Sequence, residues 1–248
     1  MAMNKSVVRA VEILELISKE GDMTLSEIAQ KMAMPLASVS DILKALLHKQ
    51  MIEVADPRVK TYRISVNSFL IGNSYLANAS VLEIAIPFVN DLSKQTGNTV
   101  FLGKLVDSQI VYLYKCEPKN SLVSTCQIGS RAQLTTTALG KVALAYNSKL
   151  FDDVMTKPLV KKTPSSIVDY RKLELEIGAV KTQGYSVDRF EDNERIFCVG
   201  FPIFDRAGKV EHSISVSGAQ RSQDSIDRDI ELGQACAREI SRRSGYVE

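Results

Sequence analysis

Polar and apolar residues alternate along three short segments in the second half of the chain. Period-two spacing predicts that each strand has one small or polar face, made up of Ser186, Asp188, Cys198, Gly200, Ser213, Ser215 and Ser217. The opposite faces carry Val187, Arg189, Val199, Phe201, Ile214 and Val216. Hydroxyl, thiol and carboxylate groups on one sheet face can hold a small polar ligand. A half-solvated antiparallel sheet explains the alternation equally well.

Covalent catalysis is disfavoured by what the chain lacks. A Cys198 nucleophile would need a histidine base, and the chain has only two histidines, His48 and His212. No Gly-x-Ser-x-Gly elbow, Gly-rich phosphate loop or His-Glu-x-x-His motif occurs. The two histidines and the unpaired spacing of the four cysteines also argue against a metal site, and no cofactor is predicted.

A second set of polar residues lies near the N-terminus, on a predicted helix that begins at Pro35. Val39, Ile42, Leu43 and Leu46 have the spacing of a buried face, which turns other residues outward. The residues turned outward would be Ala37, Ser38, Ser40, Asp41 and Lys44.

Two further helices would support this one. The first, from Val7 to Ile17, has an apolar stripe of Val7, Ala10, Val11 and Leu14, widened by Ile13 and Ile17. In the second, Thr24 and Glu27 have capping-box spacing, and the predicted apolar face consists of Leu25, Ile28, Ala29 and Met32.

A basic β-hairpin follows from Met51 and carries Arg58, Lys60 and Arg63. Three short helices followed by such a hairpin are typical of a winged helix-turn-helix, which inserts one helix into the major groove of DNA.

In such a domain, Ser38, Ser40 and Lys44 would lie nearest to DNA, while Leu36 and Ala37 could touch a thymine methyl group. Asp41 would oppose phosphate on this face, unless it caps the helix, pairs with Lys44 or accepts from a cytosine amino group.

A three-helix protein-interaction module is the less favoured alternative. Through Ile64 there are nine Lys and Arg against eight Asp and Glu, so DNA affinity would depend on local charge placement and dimerisation.

The remainder of the chain predicts an α+β domain. Helices are expected from Phe69 to Ala79 and over a face of Val81, Ile84, Ala85, Phe88 and Leu92, with a kink at Pro87. Strands follow at 99–103, 110–114 and 121–126, then near Tyr185, Cys198 and Ser215. Helices are expected at about 136–146 and 170–182, and a closing helix has a face of Ile226, Ile230, Gly233, Ala237 and Ile240. Hairpin strands interrupted by helices favour an antiparallel sheet with helices packed on it.

The length and composition of the chain restrict the class of protein. At 248 residues, 45% hydrophobic and 24% charged, the chain fits two globular domains. We assign 1–66 to the winged helix-turn-helix, 67–79 to a linker helix and 80–248 to the second domain. The sequence shows neither a signal peptide nor an apolar run of about 18 residues. A cytoplasmic protein with free buried thiols and no membrane partner is expected.

Several stretches, in order along the chain, resemble the IclR family of transcription regulators. They are VVRAVEIL at 7–14, LSEIA at 25–29, Tyr62 in the wing, QIGSR at 127–131, TALGKVALA at 137–145, GYSVD at 184–188, Cys198 before FPIFD at 201–205, and SISVSG at 213–218. The resemblance implies a GAF-like effector-binding domain in dimers or tetramers that bind pseudo-palindromic operators near catabolic genes. By position, it assigns the effector pocket to Thr137, Ala138, Leu139, Asp188, Cys198, Ser215 and Ser217.

Three positions depart from the family pattern. Asp41 replaces a usual arginine of the recognition helix, Thr135 replaces a common histidine, and Arg195 replaces a usual glycine. The operator sequence and the effector therefore cannot be copied from a relative.

The resemblance further implies a repressor of a catabolic operon that is controlled by a small carboxylate, a sugar-acid or an aromatic-acid metabolite. A helix N-terminus beside serine hydroxyls is a physically reasonable carboxylate receptor. Two alternatives are a small-acid-processing enzyme with the winged helix-turn-helix at 1–66 (the head) as an interaction module, and a constitutive DNA-binding protein without a ligand.

Overall fold

The computed structural model describes residues 4–78, 80–119, 126–219 and 222–247. The chain divides into two compact units, 1–78 and 79–248, each with its own core. The strand expected at 121–126 lies outside the described residues except for Cys126.

The first unit is a winged helix-turn-helix, as predicted. Its elements are α1 (Lys5–Glu20), β1 (Met23–Thr24), α2 (Leu25–Lys31), α3 (Leu36–His48), β2 (Ile52–Asp56), β3 (Thr61–Ile64) and α4 (Val66–Asn78). The three strands form an antiparallel sheet in the order β1-β3-β2. The capping box at the start of α2 is present, since Thr24 N–H donates to the Glu27 carboxylate and Glu27 N–H donates to Thr24 Oγ1.

The buried face of α1 differs from the predicted stripe. Ile13 and Ile17 are buried, whereas Val7 is 59% exposed and Val11 is 50% exposed. Six residues along a helix correspond to a rotation of about 120°, so Ile13 and Ile17 lie well around the axis from the two valines. The core of the unit lies on the isoleucine side, and the prediction that Val7 and Val11 are buried is wrong.

The second unit is an α+β domain built on one antiparallel sheet, which confirms the predicted fold class. Its elements are α5 (Ser80–Thr96), β4 (Thr99–Val106), β5 (Gln109–Cys116), β6 (Arg131–Ala132), α6 (Ala138–Tyr146), α7 (Ser148–Met155), α8 (Tyr170–Gln183), β7 (Ser186–Arg189), β8 (Phe197–Ile203), β9 (His212–Gly218) and α9 (Gln223–Arg243). The strand order is β6-β5-β4-β9-β8-β7. The short elements β1, β6 and α7 were not predicted.

Helices cover both faces of this sheet at its centre. A Cβ atom on Gly200 would lie 2.8 Å from the carbonyl carbon of Ala138, so α6 packs on the small-residue face. On the other face, a Cβ atom on Gly233 would lie 2.2 Å from the Phe201 ring, so α9 packs there. Because Ser213, Ser215 and Ser217 are all buried, the half-solvated interpretation of their strand is wrong.

The buried face of α5 is rotated from the predicted one. Leu82, Ala85, Val89 and Leu92 are buried, whereas Val81, Ile84 and Phe88 are only half-buried. Ser93 is also buried. Its hydroxyl is satisfied there because it donates to the carbonyls of Asn98 and Cys116, at 2.9 and 3.2 Å. Pro87 lies inside the helix at an exposed position.

The closing helix α9 largely follows the prediction. Gly233, Ala237 and Ile240 are buried, while Ile226 and Ile230 are half-buried. The same face also buries Asp229 and Ser241, two polar residues that a search for apolar periodicity passes over.

Candidate functional site

A cavity of about 60 Å³ lies between the start of α6 and the polar face of β8 and β9. The structure brings together around it all seven residues that the sequence assigned to an effector pocket: Thr137, Ala138, Leu139, Asp188, Cys198, Ser215 and Ser217. These residues span 81 positions of sequence, and the antiparallel register aligns them, with Cys198 opposite both Asp188 and Ser217.

Six more lining residues were missed from the sequence: Phe101, Tyr112, Cys126, Asp192, Asn193 and Ile196. Phe101 lies opposite Ser215 in the β4–β9 register, and its ring centroid is 5.0 Å from that of Tyr112. Extending the alternation to β4 would have placed Phe101 on the polar face. The three residues at 192–196 follow β7 in a loop, where no periodicity could identify them.

The start of α6 lines the cavity with Thr137, Ala138 and Leu139. Thr137 caps the helix, since its hydroxyl accepts from Gly140 N–H at 3.1 Å and donates to the Gln133 carbonyl at 2.7 Å. The first helical bond runs from Lys141 N–H to the Thr137 carbonyl. The amides of Ala138 and Leu139 therefore precede the helical hydrogen bonds, an arrangement suited to an anion.

Asp188 is a carboxyl group buried at the wall of the cavity. Its Oδ1 accepts from the Glu191 amide at 2.7 Å and from the Asp192 amide at 3.4 Å. Burial raises the pKa of Asp188 to about 7, although the hydrogen bond from Glu191 works in the opposite direction. Near neutral pH, this side chain can therefore be either a hydrogen-bond donor or an anion.

Cys198 lies beside Asp188 and is a protonated thiol. Burial raises its pKa well above the ordinary value, and the nearby Asp188 charge adds to the effect. Ser217 Oγ donates to Cys198 Sγ at 3.1 Å. Burial lowers the pKa of His212 to about 4, so this histidine is neutral near pH 7. Neither group is set up as the thiolate–imidazolium pair of a nucleophilic enzyme.

A buried ion pair holds the loop that follows β7. Lys141 is fully buried and its Nζ lies 2.6 Å from Glu191 Oε1 and 2.8 Å from the Val187 carbonyl oxygen. Burial raises the pKa of Glu191, and the Lys141 charge opposes that shift. Because Lys141 projects from α6, it connects the helix at the cavity to both β7 and the loop.

A second contact set fixes the outer part of the same loop. Asp192 Oδ1 accepts from Thr136 Oγ1 and from Lys162 Nζ, both at 2.6 Å. The hydroxyl of Ser166 donates to the Glu191 carbonyl at 2.7 Å. The lining residue Asp192 is therefore paired with a cation that lies outside the cavity lining.

Two of the positions that depart from the family pattern lie next to the lining without joining it. Thr135 is buried, and its hydroxyl has no hydrogen-bond partner among the described residues. Arg195 is exposed and immediately precedes the lining residue Ile196. Across the described residues, no cluster of three or more His, Cys, Asp or Glu side chains is arranged to hold a metal ion.

The predicted DNA-contacting residues lie on α3 and the hairpin of the first unit. Leu36, Ala37 and Lys44 are exposed, and Ser38 and Ser40 are half-buried. Arg58, Lys60 and Arg63 are exposed on the wing. Lys44 Nζ pairs with Asp41 Oδ1 at 3.0 Å, and Arg63 Nη2 pairs with Asp22 Oδ2 at 3.0 Å. Two of the four cations are therefore partly neutralised. No helix in the described ranges is long and apolar enough to cross a membrane.

Comparison with known proteins identifies both units. Residues 6–56 match the IclR helix-turn-helix domain, and residues 73–242 match the bacterial transcriptional regulator IclR C-terminal domain. The HTH-type transcriptional repressor AllR of Klebsiella pneumoniae is 28% identical over 243 residues, which is 96% of this chain and 89% of AllR.

Solved structures give the same result. The crystal structure of Thermotoga maritima IclR is similar with a TM-score of 0.80 and 31% identity, covering 98% of this chain and 99% of that one. An IclR homologue from Microbacterium hydrocarbonoxydans, crystallised with 4-hydroxybenzoate, shares the fold with a TM-score of 0.87, 16% identity and coverage of 96% and 98%.

The winged helix-turn-helix and the second α+β domain define a DNA-binding transcriptional regulator, a class of protein that is not enzymatic. Within that class, the chain belongs to the IclR family of bacterial transcriptional regulators.

Proposed function

We propose that this protein is a repressor of a catabolic operon whose operator binding is modulated by a small carboxylate. The observation that carries the proposal is the meeting of seven predicted residues around one cavity at a helix N-terminus. The name of AllR as a repressor and the 4-hydroxybenzoate bound by the Microbacterium homologue support the two halves of the proposal.

Recognition of the carboxylate would depend on dipoles and hydroxyl groups. Among the described residues, no Lys or Arg lines the cavity, but Asp188 and Asp192 do. We assign the anion to the Ala138 and Leu139 amides and to the Ser215 and Ser217 hydroxyls, with protonated Asp188 as a further donor.

The size of the cavity narrows the effector class. About 60 Å³ is well below the roughly 300 to 1,000 Å³ of sites for drug-sized ligands. We therefore favour a carboxylate of two to four carbons over an aromatic acid.

DNA recognition is assigned to α3 and the wing. Ser38, Ser40 and Lys44 would contact base edges or phosphates, Leu36 and Ala37 the thymine methyl groups, and Arg58, Lys60 and Arg63 the backbone. We assign residues 67–79 to the linker, of which 67–78 lie in α4.

We further propose that the regulator acts as a homodimer or a dimer of dimers on a pseudo-palindromic operator. On α4, Val66, Phe69 and Leu70 are 67%, 62% and 56% exposed. Large apolar side chains at such exposure are typical of a surface that a second copy covers. Phe69→Ser with Leu70→Ser should therefore shift the sedimentation coefficient toward that of a monomer.

The effector proposal can be tested on the full chain with carboxylates from acetate to succinate and the matching neutral amides. One carboxylate should raise the melting temperature and change the anisotropy of a labelled operator fragment, while its amide should do neither. Ser215→Ala with Ser217→Ala should abolish both effects. Ser213→Ala, on the same strand face but outside the cavity, is the matched control. A response that survives the double substitution would place the effector elsewhere.

The DNA face is tested separately. Ser38→Ala with Lys44→Ala should weaken operator binding, whereas Lys49→Ala, just beyond the end of α3, should change it little. Equal losses in the two variants would contradict the assignment of the recognition face.

A further inference from the structure

A larger cavity lies at the opposite end of α6 from the candidate effector pocket. Its volume is about 690 Å³, within the range of sites that hold drug-sized ligands. Tyr146 at the end of α6, Phe204 after β8, one side of α9 and Tyr246 near the C-terminus line it. It shares no lining residue with the smaller cavity.

One wall of this cavity is aromatic and held in place by the backbone. The rings of Phe204 and Tyr246 are stacked, with centroids 4.8 Å apart and planes at 19°. Tyr146 meets Phe204 edge-on at 5.2 Å. The buried Ser241 fixes both stacked residues, because its Oγ accepts from Phe204 N–H at 2.9 Å and its carbonyl accepts from Tyr246 N–H at 3.0 Å. Both stacked residues are therefore anchored through their backbone N–H groups to the same residue of α9.

The rim of the cavity carries an available positive charge. Arg242 is bound to Glu239 through two hydrogen bonds, of 2.9 and 2.8 Å, and Arg243 binds the same carboxylate at 2.7 Å. These arginines lower the pKa of Glu239 to about 2, so Glu239 stays anionic and occupies Arg242. Arg238, one turn before Arg242, lines the cavity and forms no ion pair with any residue that the structure describes.

We propose that this cavity is a second ligand site, which binds a flat aromatic carboxylic acid. The ring of the ligand would lie against the Phe204–Tyr246 stack, since aromatic rings pack face to face or edge to face at such separations. Its carboxylate would pair with the Arg238 guanidinium, whose planar fork matches a carboxylate. The site does not depend on the effector proposal, because the two cavities have separate linings.

Calorimetric titration of the full chain with 2-naphthoate tests this site. Saturable binding of one ligand per chain is expected. Arg238→Gln should lower the affinity for 2-naphthoate by about fivefold, which corresponds to the loss of one solvent-exposed ion pair. The same substitution should leave the affinity for the neutral 2-naphthalenemethanol unchanged. Ala235→Trp, which places a large side chain in the cavity, should remove binding of both compounds.

Two controls keep the test specific. Arg228→Gln removes the same charge from an exposed position of α9 outside the cavity and should leave the affinity unchanged. The Ser215→Ala, Ser217→Ala variant should bind 2-naphthoate as well as the wild type does. The proposal is overturned if the wild type shows no saturable binding, which is the result expected if a second copy covered the cavity. Full affinity in Ala235→Trp, equal losses in the two arginine variants, or loss in the serine variant would also overturn it.

Discussion

At the scale of single residues, Asp188 makes stability depend on pH. An unfolded aspartate titrates near 3.9, whereas burial raises the pKa of folded Asp188 to about 7. Between these values the folded state binds the extra proton, so the free energy of unfolding falls by about 1.4 kcal/mol per pH unit as the pH rises. A carboxyl group at the cavity wall thus costs stability near neutral pH, a cost that is typical of functional sites.

Asp188→Asn removes this titration while keeping an oxygen for the Glu191 amide. The free energy of unfolding of the variant, relative to that of the wild type, should increase by on the order of 2 kcal/mol from pH 5 to pH 7. Below pH 4 the difference should change little. Urea unfolding at several pH values measures the difference. A pH-independent difference for Asp188→Asn would mean that the group titrates normally.

Loss of Lys141 should strongly destabilise the second unit. Lys141→Met leaves the Glu191 carboxylate buried without its 2.6 Å partner, which typically costs about 3 to 5 kcal/mol. Lys157→Met, which breaks an exposed pair with Asp153, should cost at most about 1 kcal/mol. Urea unfolding compares the two variants.

A double variant separates the charge from the packing. Adding Glu191→Leu to Lys141→Met removes the stranded carboxylate and should recover part of the loss. If Lys141→Met and Lys157→Met lowered the free energy of unfolding by the same small amount, the buried pair would not stabilise the fold as the structure indicates.

At the scale of elements, two helical glycines should respond in opposite directions to alanine. Gly233 of α9 touches the Phe201 ring, and a Cβ atom there would lie 2.2 Å from it, so Gly233→Ala should cost about 1 to 3 kcal/mol. Gly178 of α8 has open space around it, so Gly178→Ala should gain about 0.5 to 1 kcal/mol from helix propensity. Thermal melts give both signs. Stabilisation by Gly233→Ala would show that α9 packs on the sheet less closely.

The elements that sequence predicts well are those whose signals are local. The capping box at Thr24 and the period of α3 predicted the head, and strand alternation placed Asp188, Cys198 and Ser215 on one face. Burial of α1 and α5 was predicted with the wrong rotation, because wide apolar stripes leave the phase open and because Ser93 satisfies its hydroxyl within the core. Asp192 and Asn193 reach the cavity through a loop fixed by tertiary contacts, which no period encodes.

At the scale of the whole molecule, the near-neutral charge of the head limits how it can hold DNA. Through Ile64 there are nine Lys and Arg against eight Asp and Glu, and Asp41 and Asp22 pair with two of the four proposed DNA-contacting cations. Two heads on one operator would double the number of phosphate contacts, so a weakly basic head can suffice in a dimer. The affinity for DNA should then be sensitive to each acidic residue on the DNA face.

Asp41→Asn tests charge and assembly together, because it releases Lys44 and removes an anion near the phosphates. Each head should gain roughly 0.7 kcal/mol of binding free energy. If two heads bind, the non-specific affinity should therefore rise by about tenfold. The slope of log K against log salt should steepen by about 1.8, or 0.9 for each released lysine. Anisotropy titrations of a labelled duplex at several salt concentrations measure both quantities. Asp153→Asn, which breaks a similar exposed pair in the other unit, should change neither. A steepening of about 0.9 would indicate that a single head binds, and an unchanged slope would remove Lys44 from the DNA face.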